Sequence, residues 1–299
     1  MMSKTAFVFS GQGAQYPGMG RELYECSEAA RAVFDMAERL RPGTIKQCFE
    51  GTKEELSVTI NTQPCVFITD LAAAAAAAEK GVQPDFCAGF SLGEIAALAF
   101  AGVMSYEDAF MLVCKRAELM DKAAKDDPGA MAAVMKISPE QTEQLCAGYK
   151  KAYPVNYNSP AQTVVAAAED EIDDLCAKVK EMKGKAVKLA VSGAFHSPFM
   201  DSAASAMSEY LEGVELNEVR IPVISNCTAE PYSGDYKKLI SGQINHPVRW
   251  QKSVEYMISQ GVGRFIEVGV GKTLTGLIKK INTEVTAFNI ENKEGLDAL

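Results

Sequence analysis

Residues 89–93, Gly-Phe-Ser-Leu-Gly, have the spacing of a serine nucleophile. This G-x-S-x-G motif follows a short apolar run and precedes a helix-forming run, the setting in which a serine occupies a sharp strand-to-helix turn. Glycines on both sides relieve the crowding of such a turn, so that Ser91 projects into a cleft. The backbone N–H of Leu92, at the start of the helix, can then stabilise the oxygen that becomes negative during acyl transfer. A tight turn with no catalytic role is the alternative.

A serine hydroxyl needs a neighbouring base to attack at neutral pH, and the chain contains two histidines. His196 follows Gly193-Ala194-Phe195, in a loop that can present an imidazole over a cleft. His246 precedes Pro247, which favours extended backbone and makes this histidine a turn residue or a wall of the site. We therefore predict His196 as the base. A structural imidazole bonded to the backbone is the alternative for either one.

The loop 10–15, Ser-Gly-Gln-Gly-Ala-Gln, follows the first predicted strand. A loop in that place faces the ligand crevice of an α/β sheet. Its backbone amides can complete a site for a negative oxygen, and a plain flexible turn is the alternative.

The bulk composition disfavours several classes of protein. A net charge of −9 argues against a nucleic-acid-binding surface. The eight cysteines contain no C-x-x-C pair, so neither a disulfide framework nor a metal site is predicted. The apolar stretch 71–78 is far shorter than the roughly 20 residues that a membrane span requires, and residues 1–10 lack the apolar core of a secretory signal. We expect a cytoplasmic protein without membrane contact.

The order of predicted elements divides the chain into two units. Residues 1–126 alternate strand-like and helix-like segments, which is typical of parallel β-α units in an α/β protein. Residues 127–195 predict the order β-α-β-β-α-β of a ferredoxin-like subdomain. The alternating pattern resumes over residues 196–299, so we predict a discontinuous large domain with the smaller unit inserted into it.

Several motifs together resemble the malonyl-CoA:acyl carrier protein transacylases. They occur in the order of that family and span almost the whole chain: residues 9–15, 89–94, 115–116, 194–196, 247–250 and 267–269. The resemblance implies a large α/β-hydrolase-like domain with a parallel sheet and an inserted ferredoxin-like subdomain.

The resemblance also implies roles for five of the residues. Ser91 resembles the acylated nucleophile, and His196 resembles its general base and acid. The backbone amides of Gln12 and Leu92 match the donors to the oxyanion. In this family a main-chain carbonyl orients the imidazole, and the matching position is Arg249.

Two further residues bear on the choice of acyl group, and a third departs from the family. Arg116 matches the arginine that holds the free carboxylate of malonate, and a guanidinium fork suits that task. Without the resemblance, Arg116 would be interpreted as a surface arginine on an amphipathic helix. Phe195 resembles the malonyl-type version of its motif, in which a bulky ring leaves little room for an α-methyl branch. Phe90 departs from the family, which usually has histidine there, and the change alters the polarity beside the nucleophile.

The implied reaction moves a malonyl group from malonyl-CoA, the substrate, to the phosphopantetheine thiol of an acyl carrier protein, the partner. We expect a monomer with no bound cofactor and no metal. Three alternatives stay open: a serine thioesterase or other hydrolase, a polyketide-type acyltransferase with a different acyl preference, and a non-catalytic scaffold that binds carrier proteins. A hydrolase would release free acid instead of transferring the acyl group to a carrier. A scaffold would keep its role after Ser91→Ala.

Overall fold

The computed structural model describes residues 3–299. Its strands form two sheets. In chain order the strands are β1 (Lys4–Phe9), β2 (Phe86–Gly89), β3 (Gly129–Met135), β4 (Ala152–Ser159), β5 (Gln162–Ala168), β6 (Lys185–Lys188), β7 (Val223–Ile224), β8 (Val262–Val268) and β9 (Thr286–Ile290).

Helices surround both sheets, and none of those within residues 3–299 is long and apolar enough to cross a membrane. They are α1 (Arg21–Cys26), α2 (Glu28–Leu40), α3 (Thr44–Glu50), α4 (Lys53–Ser57), α5 (Thr59–Glu79), α6 (Leu92–Phe100), α7 (Tyr106–Asp126), α8 (Pro139–Cys146), α9 (Ile172–Glu181), α10 (Asp201–Leu211), α11 (Tyr236–Gly242), α12 (Trp250–Ser259), α13 (Thr273–Ile281) and α14 (Lys293–Asp297).

The larger sheet is parallel, with five strands in the order β7-β2-β1-β8-β9. Its central strand β1 is buried on both faces, as expected for a strand that helices cover from two sides. Phe7 and Phe9 point into one hydrophobic cluster, while Ala6 and Val8 point into another. Because the strands are parallel, the loops that follow β1, β2, β7 and β8 meet at one edge of the sheet.

The smaller sheet is antiparallel, with four strands in the order β4-β5-β3-β6. Side chains alternate along β3: Ala132 and Val134 pack with the cluster formed with α8 and α9, while Met131 and Ala133 belong to the main core. The second face therefore turns toward the parallel sheet. The prediction of an α/β protein with a parallel sheet and a separate small sheet is confirmed.

Two local predictions differ from the structure. The sequence predicts a helical pattern over residues 20–40, but Ser27 there has extended backbone (φ −128°, ψ 128°) and accepts a hydrogen bond from the N–H of Ala30. A serine in this position caps a new helix, so α1 and α2 are separate. The sequence predicts a last helix near residues 274–281 and no strand after it, whereas the structure has β9, whose five residues carry no distinctive pattern.

Candidate active site

Ser91 lies in a strained turn between β2 and α6. Its φ of 53° and ψ of −109° belong to a region that side chains rarely adopt. A Cβ on Gly89 would lie 1.9 Å from the carbonyl carbon of Gly93, and a Cβ on Gly93 would lie 2.2 Å from the carbonyl oxygen of Phe9. The two glycines of the motif are therefore required by close backbone contact, and the turn directs the serine side chain out of the sheet edge.

The imidazole of His196 lies beside the serine hydroxyl. Its Nε2 is 2.7 Å from Oγ of Ser91, and its Nδ1 is 2.9 Å from the carbonyl oxygen of Gln243. A carbonyl oxygen only accepts, so Nδ1 carries the proton and donates it there. This leaves Nε2 with a free lone pair toward Ser91. The pair has the geometry of a nucleophile and its base.

The prediction that the Arg249 carbonyl orients the histidine is wrong. That carbonyl accepts the N–H of Ser253, 3.0 Å away in the first turn of α12, because Arg249 is the residue before that helix begins. The guanidinium Nε of Arg249 donates to the carbonyl of Cys227 at 2.9 Å. The orienting carbonyl belongs to Gln243, which directly follows α11.

Burial makes His196 a poor proton acceptor from solvent. Removal from water, and secondly the nearby charge of Arg116, lower the pKa of His196 from its ordinary value to about 4. The imidazole is therefore neutral near pH 7, which is the form a general base requires. The other histidine, His246, is exposed and bonds through Nδ1 to the carbonyl of Gly242 at 2.8 Å.

Arg116 projects from α7 and reaches the serine. Its Nη2 is 3.2 Å from Oγ of Ser91, and the side chain is only 2% exposed. Two buried amides hold it: Nη1 donates to Oε1 of Gln63 and Nη2 to Oε1 of Gln243, both at 2.8 Å. Its Nε is buried and has no hydrogen-bond partner among residues 3–299. Burial lowers the pKa of Arg116 to about 10, so the group stays charged at neutral pH and can receive a carboxylate.

Two backbone N–H groups flank the nucleophile. Leu92 is the first residue of α6, so its N–H has no acceptor inside the helix. The loop that carries Gln12 packs directly on the serine turn: a Cβ on Gly11 would lie 2.6 Å from the carbonyl oxygen of Phe90. Neither the N–H of Gln12 nor that of Leu92 is donated to another group within residues 3–299. Both are free to bind an oxyanion.

The buried carboxyl group of Asp70 holds the loop of Gln12 in place. Asp70, in α5, accepts the hydroxyl of Ser10 at 2.8 Å and the N–H of Val270 at 3.0 Å. Burial raises the pKa of the Asp70 carboxyl well above its usual range. The loops after β1 and β8 are thereby tied to one helix, which fixes the position of the Gln12 backbone.

A cavity of about 580 Å³ opens over these residues, between the parallel sheet and the smaller sheet. Phe195 and Phe90 line it, and the Phe90 ring packs on Trp250 with centroids 5.7 Å apart. The wall opposite Ser91 is formed by the smaller sheet and its flanks. Its residues are Met131, Ala133, Asn156, Asn158, Gln162, Val164 and Leu189.

The structure brings together every predicted site residue except Arg249: Ser91, Gln12, Arg116, Phe195 and His196 line one cavity, and Leu92 begins the helix beside it. Sequence reasoning missed Gln243, which touches three of them. Its side-chain Nε2 donates to the carbonyl of Ser91 at 2.5 Å, in addition to its contacts with His196 and Arg116. The partner of His196 is a backbone carbonyl, which every residue has, so the sequence does not distinguish Gln243.

An α/β fold with a strained serine, a neighbouring histidine and undonated backbone N–H groups in the adjoining loops is typical of serine-dependent acyl-transferring proteins. The chain belongs to the acyl transferase domain family, which it matches over residues 6–290. The malonyl CoA-acyl carrier protein transacylase of Bacillus subtilis (strain 168) is 38% identical over 304 residues, covering 99% of this chain and 96% of the relative. The family resemblance read from the motifs is confirmed.

Solved structures agree over the full length. The malonyl CoA-acyl carrier protein transacylase from Clostridium perfringens superposes with a TM-score of 0.95 at 35% identity, covering 99% of this chain and 96% of that one. A malonyl-transacylase solved in complex with its type II PKS acyl-carrier protein has a TM-score of 0.95 at 32% identity, with 99% and 98% coverage.

Proposed function

We propose that the protein transfers a malonyl group from malonyl-CoA to the phosphopantetheine thiol of an acyl carrier protein. One observation carries the proposal: Oγ of Ser91 lies 2.7 Å from the base nitrogen of His196 and 3.2 Å from the Arg116 guanidinium. A nucleophile beside a buried cation suits an acyl donor that bears a free carboxylate. The names of the relatives, and the carrier-protein complex of one of them, support the same reaction.

Acylation begins when Ser91 attacks the thioester carbonyl. His196 takes the hydroxyl proton on Nε2, while Nδ1 keeps its bond to the Gln243 carbonyl. The negative oxygen of the tetrahedral intermediate accepts hydrogen bonds from the backbone N–H groups of Gln12 and Leu92. The C–S bond then breaks, the proton passes from His196 to the leaving sulfur, and free coenzyme A departs from a malonyl-serine ester.

Deacylation reverses these roles with a different thiol. The carrier's phosphopantetheine sulfur attacks the ester carbonyl and gives its proton to Nε2 of His196. The same two amides hold the oxyanion. The ester C–O bond breaks, and His196 returns the proton to Oγ of Ser91, which restores the free enzyme.

Arg116 selects the acyl group. Its guanidinium, whose Nε has no partner among residues 3–299, can donate to the malonyl carboxylate, and an acetyl group would leave this buried cation without a counter-charge. Phe195 narrows the cavity beside His196, which disfavours a branch at the α-carbon. Both features favour malonyl over acetyl and methylmalonyl groups.

The amides of Asn156, Asn158 and Gln162 suit the pantetheine arm that both substrates share. Asn158 is 8% exposed, and its Oδ1 is buried without a hydrogen-bond partner among residues 3–299. A pantetheine chain contains two amide groups, which can donate to and accept from such side chains. The apolar neighbours Met131 and Val164 offer contact to its methylene groups.

Four finer assignments accompany this function. The strand-serine-helix turn supports an α/β-hydrolase-like description of the large domain, residues 1–126 and 196–299. The order β4-β5-β3-β6 supports a ferredoxin-like subdomain at 127–195. Serine, histidine and backbone amides suffice for the chemistry, so we propose that no cofactor is bound. We propose a cytoplasmic location, where malonyl-CoA and carrier protein are both present.

Initial rates measured while both malonyl-CoA and a phosphopantetheinylated carrier protein are varied test this function. A covalent malonyl-enzyme predicts parallel lines in double-reciprocal plots, with malonyl-carrier formed much faster than free malonate. Intersecting lines would exclude the covalent route. Free malonate as the main product would make the protein a hydrolase.

A further inference from the structure

One buried amide joins both ends of the turn that carries the nucleophile. Asn226 is fully buried; its Oδ1 accepts the N–H of Ser91 at 2.7 Å, and its Nδ2 donates to the carbonyl of Gly89 at 2.6 Å. An N–H group only donates and a carbonyl only accepts, so these partners fix the amide in one orientation. Asn226 lies two residues beyond β7, the strand that pairs with β2, and this pairing brings it to the same edge of the sheet.

The turn needs such a contact because it is strained. A non-glycine residue at φ 53° and ψ −109° keeps that conformation only when its surroundings enforce it. Gln243 holds the carbonyl of Ser91, and α6 begins with the N–H of Gly93 bonded to the carbonyl of Phe90. Asn226 holds the remaining polar group of the nucleophile's own backbone, its N–H.

Further hydrogen bonds fix the position of Asn226. Its backbone N–H donates to Oε2 of Glu94 at 2.7 Å, and its carbonyl accepts the N–H of Arg249 at 2.9 Å. The other carboxylate oxygen of Glu94 accepts the hydroxyl of Tyr232. Glu94 is itself in the first turn of α6, so the contacts form a closed ring from Ser91 through the helix to Glu94, then Asn226 and back to Ser91.

We propose that Asn226, supported by Glu94 and Tyr232, is the positioning residue of the nucleophile. Its amide holds the Ser91 backbone so that Oγ meets Nε2 of His196 and Nη2 of Arg116 at the distances observed. This inference rests on the proposed acyl transfer, because its consequence is the rate at which Ser91 is acylated. Asn226 itself touches neither substrate nor the reacting atoms.

The variant Asn226→Asp tests this directly. It keeps the acceptor for the Ser91 N–H and the shape of the side chain, but it sets a carboxylate oxygen against the carbonyl of Gly89. Asn292→Asp is the matched control, because Asn292 caps α14 through its Oδ1 alone, which accepts the N–H of Gly295 at 2.9 Å. Rapid-quench mass spectrometry of malonyl-enzyme formation gives both a rate constant and an amplitude.

Asn226→Asp is expected to slow acylation about 100-fold at full amplitude, since a small displacement of a reacting atom has effects of that order. The KM of Asn226→Asp for malonyl-CoA should stay unchanged. The control Asn292→Asp should keep the rate constant and amplitude of the unaltered protein. Full rate with reduced amplitude would mean that Asn226 only supports folding, and an unchanged rate and amplitude would equally overturn the proposal. If Asn226→Asp does not fold, Tyr232→Phe should show the same signature at about fivefold. An unaltered protein that forms no malonyl-enzyme would instead contradict the proposed function.

Discussion

The two walls of the cavity are built in different ways. On the parallel-sheet side, a Cβ on Gly11, Gly89 or Gly93 would lie within 3 Å of neighbouring backbone, and the N–H of Ser91 is paired with the buried Asn226. On the smaller-sheet side the lining is apolar or carries amides such as Asn158, whose Oδ1 has no partner within residues 3–299. The turn that carries the reacting serine is thus held by close backbone contacts and paired side-chain amides, while the amide of Asn158 across the cavity keeps an acceptor free for the substrate.

Loss of the nucleophile on the parallel-sheet side should have the largest effect on malonyl transfer. Ser91→Ala is expected to lower malonyl transfer on the order of 10⁶-fold, since removing the serine of a serine-histidine pair has consequences of that size. Transfer to carrier protein, followed by mass spectrometry, measures it. Ser208→Ala, on the exposed face of α10, is the matched control and should transfer at the normal rate. Substantial transfer by Ser91→Ala would mean that another group is acylated.

The rigidity of the parallel-sheet side is tested by adding one methyl group. Gly93→Ala would place a Cβ 2.2 Å from the carbonyl oxygen of Phe9, so we expect a loss of roughly 3 kcal/mol in unfolding free energy. Gly276→Ala, in α13, meets no atom within 4 Å and should stabilise the helix by about 1 kcal/mol. Chemical denaturation measures both. Equal effects would contradict the close backbone contact.

Selection of the acyl group should depend on Arg116, which lies beside Ser91 on the parallel-sheet side of the cavity. Arg116→Ala removes a pair of charge-assisted hydrogen bonds, so kcat/KM for malonyl-CoA should fall roughly 100-fold while that for acetyl-CoA changes little. The ratio of the two values is the measurement. Arg116→Lys keeps the charge without the fork and should recover only part of the preference. A constant ratio in all three proteins would remove Arg116 from substrate selection.

Substitutions on the smaller-sheet side of the cavity should have small effects on the kinetic constants. Asn158→Leu removes an amide but leaves every group around Ser91 in place, so KM for malonyl-CoA should rise roughly fivefold with kcat unchanged. Steady-state kinetics separates the two constants. A fall in kcat of the size seen at the other wall would show that both walls take part in the chemistry.

The smallest effect concerns pH. Because the pKa of His196 is lowered to about 4 by burial and by the charge of Arg116, acylation should be flat from pH 8 to about 5 and fall to half near pH 4. In the unfolded chain this histidine binds a proton near pH 6.5, above the pKa of the folded protein. The free energy of unfolding should therefore fall as the pH falls from about 6.5 to about 4. Rapid-quench acylation rates measure the profile. Arg116→Gln should move the midpoint upward; a midpoint near 6.5 in the unaltered protein would contradict the buried, neutral base.

Much of this arrangement is local in sequence and therefore predictable. The strand, the serine turn and α6 lie within fifteen consecutive residues, 86–100, and the glycine spacing alone indicates the turn. The β-α-β-β-α-β order of the smaller sheet is likewise continuous along the chain.

The supporting contacts are not local, and sequence patterns miss them. Asn226 lies 135 residues from Ser91, and nothing around it distinguishes it from other loop asparagines. The carbonyl of Gln243 orients His196, yet every residue has a carbonyl, and matching a motif to Arg249 placed it six residues too late. Such contacts are set by how the strands pair and where α11 ends.

Locating the acyl group after reaction with malonyl-CoA tests the central claim most directly. The unaltered protein is mixed with malonyl-CoA, quenched in acid within milliseconds and digested, and the peptides are sequenced by mass spectrometry. One malonyl ester on the oxygen of Ser91, discharged when carrier thiol is added before the quench, is the expected result. A malonyl group on any other side chain, or none on a protein that still transfers malonate, would contradict the assignment of the strained serine as nucleophile.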